Sequence, residues 1–246
     1  MASITKRAQF PFISWLPAAI AAPTPVSALV HSSTLVTAGI FLLVRFYPLI
    51  QGRKPLELIL LFAATTTSLI AGIAAIAECD IKKVIALSTL RQLGTIIFSL
   101  AINMPHLAFF HLITHALFKA LLFMAAGTLI HFHSHTQDLR SIGQLNSSMP
   151  LTTTMIVGRR VALCGAPFTA GFYSKDLIIE AQARRPINYT LIILFILATG
   201  LTTAYRIRLL INIVWAPRHS TPINLFQPKI RLTINTPIIN LAHATI

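Results

Sequence analysis

Long apolar stretches, separated by short polar or proline-containing turns, follow one another along most of the chain. A bilayer core about 30 Å thick is crossed by a helix of ~20 mostly apolar residues. Several of the stretches have that length, which predicts an all-α membrane protein, a polytopic bundle of about seven transmembrane helices. The stretches run over Ala8–Ala22, Val26–Tyr47, Leu56–Ala77, Val84–Ile102, His106–His131, Pro150–Glu180 and Tyr189–Trp215.

The sixth stretch is interrupted in its middle. Gly165–Pro167 and Gly171 stand where a continuous helix would need helix-forming residues, and Ser174–Asp176 follows directly. A broken helix is tolerated in a membrane protein where it lines a cavity or is buried in protein. Transporters place ion sites at such breaks. We therefore predict a break beside Lys175 that lines an internal cavity.

Three titratable residues lie four apart in the fifth stretch: His111, His115 and Lys119. Four-residue spacing places them on one face of a helix. Such groups are costly in hydrocarbon unless they face other helices or water. The face is typical of a proton relay, and the alternative is a hydrogen-bonded histidine cluster that holds helices together.

Composition excludes a soluble domain. The 246 residues are 55% hydrophobic and 11% charged, with a mean hydropathy of +0.74, whereas soluble domains carry about 25% charged residues. The net charge of +14 is of the kind seen in nucleic-acid-binding proteins. Here the basic residues lie within and between apolar stretches, so we expect a lipid bilayer as the partner and no nucleic acid.

Metal and haem sites are weakly indicated. Cys79 and Cys164 lack metal-ligand spacing, and the alternating His131, His133 and His135 lie in a polar loop without cysteines or paired carboxylates. We predict no metal site. A haem- or metal-binding membrane electron carrier that uses His111 and His115 is a rival hypothesis. A haem with two histidine ligands would require a matching histidine on a facing helix.

Further basic residues recur near the apolar stretches: Lys6, His31, Lys82 or Lys83, and Lys175. Removal from water disfavours the charged form of a lysine, and a nearby carboxylate such as Asp176 restores it. Histidine changes charge near neutral pH. These residues could carry protons. The alternatives are that Lys6 is a terminal lysine snorkelling to the interface and His31 a structural histidine. Lys82 and Lys83 could be a solvated loop pair, and Lys175 a lysine paired to Asp176.

An ordered set of motifs resembles a known family, the antiporter-like membrane subunits of mitochondrial NADH:ubiquinone oxidoreductase (respiratory complex I), which are related to Mrp-type cation/proton antiporters. The resemblance covers roughly residues 3–215. It is carried by Lys6-Arg-Ala-Gln-Phe-Pro, Trp15-Leu-Pro-Ala-Ala, Ala22-Pro-Thr-Pro-Val-Ser-Ala-Leu-Val-His-Ser-Ser, Asp80-Ile-Lys-Lys, Leu87-Ser-Thr, Gln92-Leu-Gly, Thr114-His-Ala-Leu-Phe-Lys-Ala-Leu-Leu-Phe and Gly171-Phe-Tyr-Ser-Lys-Asp.

The resemblance implies two broken helices and proton translocation coupled to electron transfer from NADH to ubiquinone, in the mitochondrial inner membrane. It implies no redox cofactor in this chain, because FMN, iron–sulfur clusters and ubiquinone belong to other subunits. The other membrane-arm subunits would be its partners. Residue by residue it implies a proton relay made of Lys6, His31, Lys82, His111, His115, Lys119, Lys175 and Asp176.

The family's proteins are more than twice as long and have further helices on both sides. We therefore expect a piece of a longer protein, with an antiporter-like domain at 1–215 and a tail at 216–246. The carboxylate that pairs with the family's first lysine cannot be assigned here. A stand-alone cation/proton antiporter component and a fragment without transport of its own remain alternatives.

Five arginines stand where the family usually has serine or another small residue: Arg7, Arg91, Arg159, Arg160 and Arg206. An arginine at the centre of a membrane helix costs about 2.5–3.5 kcal/mol on insertion scales. Some animal mitochondrial codes read AGA and AGG as serine. Our hypothesis is that these arginines come from translation with the standard code, and the alternative is arginines that face a wet cavity.

Overall fold

The computed structural model describes residues 8–13, 15–19, 22–133, 136–143, 145–184 and 189–215, and in this part of the chain helices are joined by turns and loops, without a strand. This confirms the predicted all-α class. The helices are α1 (Trp15–Ala19), α2 (Thr24–Arg45), α3 (Tyr47–Ile50), α4 (Lys54–Ala77), α5 (Ile81–Ala101), α6 (Pro105–Phe132), α7 (Leu145–Ser148), α8 (Pro150–Cys164), α9 (Ala170–Ala183) and α10 (Tyr189–Val214).

Five of these described helices are long and apolar enough to cross a bilayer, namely α2, α4, α5, α6 and α10. They correspond to five of the seven apolar stretches. The sixth stretch forms the shorter pair α8 and α9. In the first stretch the described residues contain only the five-residue helix α1, which is too short to span.

Helix α5 forms the centre of the bundle. Every residue of α5 except Lys83 is buried, and the helix packs against α4 on one side and α6 on the other. Close approach to α4 depends on Gly94, because a side-chain carbon there would lie 3.0 Å from the Ala64 carbonyl oxygen. Polar side chains on α5 therefore face neighbouring helices, where hydrogen-bond partners are available.

Apolar side chains cover the outer faces of the spanning helices. On α4, Leu58, Ile59 and Ile73 are each more than half exposed, and α10 presents Ile193 and Leu197 in the same way. Exposed apolar surface of this extent is what a helix presents to lipid or to another membrane subunit.

The predicted break in the sixth stretch is confirmed. Helix α8 ends at Cys164 because Gly165 adopts a left-handed conformation (φ +88°), the usual role of glycine after a helix. Helix α9 begins at Ala170. Its second residue, Gly171, lies so close to the Ala162 carbonyl that a side-chain carbon there would overlap the oxygen.

This contact predicts that Gly171→Ala destabilises the protein. The added methyl group forces α8 and α9 apart, and overpacking of this kind costs about 1–3 kcal/mol. Thermal unfolding of the assembled, detergent-solubilised complex should show a lower midpoint for this variant. Gly158→Ala is the matched control, because nothing lies within 4 Å of the new methyl group. Equal midpoints for the two variants would contradict the close packing.

Candidate functional site

The titratable face of α6 points into the bundle. His111, His115 and Lys119 are 3%, 0% and 1% exposed. The prediction that they face other helices, and not the hydrocarbon, is confirmed. Their surroundings differ: Lys119 contacts polar groups of α5, His111 contacts polar groups of α5 and α9, and His115 has no hydrogen-bond partner among the described residues.

Lys119 is held by α5. Its Nζ donates a hydrogen bond to the Ile85 carbonyl oxygen at 3.1 Å and another to Ser88 Oγ. Ser88 also donates to the Ile85 carbonyl at 2.6 Å. Both acceptors are neutral, so the bonds satisfy either an ammonium or an amine, and Ser88 can exchange donor and acceptor roles.

His111 joins three helices. Its Nε2 lies 3.1 Å from Gln92 Oε1 on α5, and its Nδ1 lies 3.0 Å from Ser174 Oγ on α9. Ser174 Oγ is also 3.4 Å from the Gly171 carbonyl oxygen. A neutral His111 accepts the serine proton at Nδ1. A protonated His111 donates to the serine oxygen, and the serine proton then turns to Gly171, so both charge states have partners.

His115 differs from its neighbours. Its ring centre lies 6.3 Å from that of His111. Both ring nitrogens are buried and have no partner among the described residues. Buried polar atoms of this kind are normally satisfied, often by ordered water. His115 is thus the place on this face where water is needed.

A cavity lies directly beside His115. Its free space, open solvent included, is about 220 Å³, and it has room for about one water molecule. It reaches from α6 to the broken helix and is lined by His111, His115 and the partners of His111, but not by Lys119 or its partners on α5. The lining residues are Gln92, His111, Thr114, His115, Phe118, Leu163, Gly171, Ser174 and Lys175.

Lys175 lies at the break and lines this cavity. It is 7% exposed, and its Nζ lies 3.5 Å from the Cys164 carbonyl oxygen. That carbonyl belongs to the last turn of α8, where the helix dipole favours a cation. The alternative of an ion pair with Asp176 is not found, because among the described residues the ion pairs are Lys83–Asp80 and Arg184–Glu180.

The two adjacent lysines at the start of α5 have different surroundings. Lys82 is 7% exposed and its Nζ lies 3.4 Å from the Ala22 carbonyl oxygen, just before α2. Lys83 points outward and pairs with Asp80 at 2.8 Å. The sequence left both open, and the structure distinguishes Lys82 as the buried one.

Two predicted relay residues are described incompletely or not at all. Lys6 lies outside the described residues, so the first of the two predicted helix breaks stays a prediction. His31 lies in a π-helical segment of α2, Ser27–Thr34. Wide helical turns of this kind occur frequently at functional sites.

Sequence reasoning assigned no role to Ser88, Gln92 and Ser174, the partners of Lys119 and His111. A signal was present on α5, because Ser88 and Gln92 are themselves four residues apart and so share one helix face. Their partners on α6 occur in reverse order, Lys119 with Ser88 and His111 with Gln92. The two helices therefore run antiparallel with polar faces in contact.

Comparison with known proteins gives a consistent assignment. Residues 1–202 match the family model described as NADH:quinone oxidoreductase/Mrp antiporter, transmembrane. The chain is 51% identical, over its whole length, to the NADH-ubiquinone oxidoreductase chain 5 of Lumbricus terrestris. It spans 42% of that relative's length.

Solved structures have the same fold. A chain of an archaeal respiratory membrane complex, the membrane-bound sulfane sulfur reductase, superposes with a TM-score of 0.83 at 25% identity, over 99% of this chain and 51% of the other. A chain of the Mrp complex from Dietzia sp. DQ12-45-1b gives 0.79 at 26% identity, over 98% and 32%. The chain therefore belongs to the NADH:quinone oxidoreductase/Mrp antiporter family of transmembrane proteins.

Proposed function

We propose that this chain is part of a proton-translocating membrane subunit of respiratory complex I, the chain 5 type. The observation that carries the proposal is the connected set of buried titratable groups. Lys175, His111 and His115 line one cavity, and Lys119 lies one helical turn beyond His115 on α6. Ser174 and Gln92 contact His111, and Ser88 contacts Lys119.

In this reading a proton enters at the broken helix and moves along α6. Lys175 exchanges a proton with water in the cavity. His111 accepts it and can hold it, because Ser174 reverses its hydrogen bond. His115 passes it on through water toward Lys119, whose neutral partners on α5 stabilise both of its charge states.

Charge repulsion would couple the two ends of the path. Lys119 and Lys175 are both held by neutral oxygens alone. In an interior of low dielectric constant, two like charges repel over longer distances than in water. Arrival of a proton at one lysine therefore favours its release from the other, which a change at either end of the path can exploit.

The setting of the protein follows from the proposed function. It would lie in the mitochondrial inner membrane, in contact with other membrane-arm subunits of the complex. It would contribute to an NADH:ubiquinone reductase without redox chemistry of its own, since FMN, iron–sulfur clusters and ubiquinone would be bound by other subunits. Residues 1–215 would form the antiporter-like domain, and Lys6, His31, Lys82 and Asp176 would complete its relay.

A stand-alone cation/proton antiporter component is the second candidate, because the Dietzia Mrp chain has the same fold. The two candidate functions differ in the driving force for proton movement. In liposomes containing the purified native complex, NADH with a short-chain quinone should move protons, and an imposed Na⁺ gradient should not. Proton movement that follows the Na⁺ gradient and ignores NADH would favour the antiporter.

The haem-binding electron carrier is disfavoured by the contacts of His111. Both of its ring nitrogens already lie within 3.1 Å of Ser174 Oγ and Gln92 Oε1. An axial bond to iron requires one nitrogen free of such a partner, with its lone pair directed at the metal.

The buried Lys82 and the exposed Lys83 provide a matched pair for testing the extended relay. We expect Lys82→Ala, in the full-length protein within its complex, to reduce the number of protons moved per NADH oxidised. Lys83→Ala removes only an exposed ion pair worth about 0–1 kcal/mol, and proton translocation should stay unchanged. The ratio is measured in liposomes with a pH-sensitive dye. Equal ratios in both variants would remove Lys82 from the relay.

A further inference from the structure

Three arginine side chains lie inside the bundle next to the titratable groups. Arg91 on α5, Arg160 on α8 and Arg206 on α10 are 0%, 3% and 1% exposed. A guanidinium group has five N–H donors and stays charged in proteins. Its burial is tolerated where acceptors and a counter-charge surround it.

Each of the three side chains has at least one buried donor nitrogen without an acceptor among the described residues. Arg91 Nε donates to the Ala198 carbonyl oxygen at 3.0 Å, but both of its terminal nitrogens are buried without a partner among the described residues. Arg160 Nε and Arg206 Nη2 are in the same situation. Unsatisfied buried donors on one side chain are uncommon, and three neighbouring side chains with them are a pattern that needs a common explanation.

Counter-charges are lacking as well. All six carboxylates of the chain lie in the described residues. Among those residues the carboxylates that form ion pairs bind Lys83 and Arg184, near the surface. The interior that holds the three guanidinium groups also holds Lys119 and Lys175, so further positive charge there is repelled.

Other arginines of the chain have ordinary surroundings. Arg208, two residues after Arg206, is partly exposed, donates to the Ile76 carbonyl oxygen and lies 3.6 Å from Cys79 Sγ. Arg45 is exposed in the last turn of α2, with its guanidinium 5.3 Å from the Phe41 ring centre. Arginines near the ends of membrane helices reach the interface in this way. The anomaly is therefore restricted to the interior positions.

We propose that the translated protein carries serine at positions 91, 160 and 206, and that these three hydroxyl groups, with the space freed by the guanidinium groups, extend the cavity beside His115 toward Lys119 and let water enter it. AGA and AGG codons specify arginine in the standard code and serine in several animal mitochondrial codes, so one rule changes all three positions. Serine suits them, because a serine in a helix can bond to a carbonyl of its own helix, as Ser88 and Ser99 do on α5.

The three positions surround the path between the two lysines. Arg206 Nη1 contacts the carbonyl of Leu163, which lines the cavity. Arg206 and Arg160 are close enough to act electrostatically on Lys119, and Arg91 on His111 and Lys175. Removing three bulky cations there opens room for water beside His115, whose ring nitrogens need it. The assignment of serine at the three positions is independent of the proposed function. The extended water passage rests on the proposed function.

Peptide masses test the residue assignment. The native complex is isolated from the source organism, denatured, and digested in parallel with trypsin and chymotrypsin. We expect tryptic cleavage after Arg45, Arg140 and Arg208 and none after positions 91, 160 and 206, with chymotryptic peptides that carry serine masses there. Arginine masses at the three positions, or CGN codons in the gene, would overturn the assignment.

Leucine variants test the passage. Leucine at position 91, 160 or 206 would refill the space with apolar atoms, and we expect fewer protons per NADH while NADH oxidation persists. Alanine leaves the space open, and its effect should be smaller. Leucine variants that pump normally would overturn the passage and leave the peptide masses valid. If Lys119→Ala also pumps normally, the proposed function itself fails.

Discussion

Replacing Lys119 by alanine should abolish proton translocation through this subunit. Lys119 occupies the central position of the relay, and its Nζ is the only titratable group in contact with Ser88 Oγ within the described part of the chain. A positioned acid–base group contributes about 10²–10⁴-fold to a proton-transfer step. We therefore expect the proton signal that depends on this subunit to fall to background. The measurement is protons moved per NADH oxidised, in liposomes containing the complex with the full-length variant.

Two controls separate lost transfer from lost structure. Lys54→Ala changes an exposed lysine at the start of α4 and should leave the ratio at the wild-type value. Lys119→Arg keeps the charge but holds its proton at any physiological pH, so it should fold yet translocate as poorly as alanine. Normal pumping by Lys119→Ala would remove Lys119 from the relay.

The sequence predicted one side of the site well and the other side poorly. Four-residue spacing placed His111, His115 and Lys119 on one face, because the geometry of a single helix determines which residues share a side. It could not identify Ser88 or Gln92 as their partners. That pairing depends on how α5 and α6 are offset along each other, which is decided by packing between helices.

At the broken helix, too, the sequence predicted some features and missed others. Gly165 and Pro167 indicated the break, since each acts on its own backbone. The pattern could not show that Lys175 approaches the Cys164 carbonyl instead of Asp176, or that Lys82 and not Lys83 turns inward. Those outcomes depend on where a neighbouring segment lies, which for Lys82 is the segment at Ala22. Periodicity along one helix does not predict that position.

The interior arginines are unusual both in the sequence and in the folded chain. On the sequence, Arg91 and Arg206 were unusual only by comparison with a family. In the folded chain they are the largest fully buried side chains, and both terminal nitrogens of Arg91 and Nη2 of Arg206 lack acceptors among the described residues. Buried donors without acceptors are unfavourable in any protein, and they are found at three of the five positions, 91, 160 and 206. Arg7 lies outside the described residues, and Arg159 packs over the Phe118 ring at 5.7 Å.

Replacing His115 by phenylalanine should have the second largest effect. The new ring fills nearly the same space, so α6 should pack as before. It removes both nitrogens that require water, and it presents an apolar surface to the cavity beside His111 and Lys175. Water in a cavity needs two to four polar partners, so we expect the cavity to lose its water and the path between Lys175 and Lys119 to be interrupted.

The expected result is a loss of proton translocation about as severe as that of Lys119→Ala, with NADH oxidation and the thermal stability of the complex close to wild type. His115→Gln distinguishes the two causes, because an amide retains hydrogen-bonding atoms for water but does not titrate. Partial pumping by glutamine would show that holding water is part of the role of His115. His106→Phe, at the exposed start of α6, is the control for a new aromatic ring. Full pumping by His115→Phe would mean that protons bypass His115 altogether.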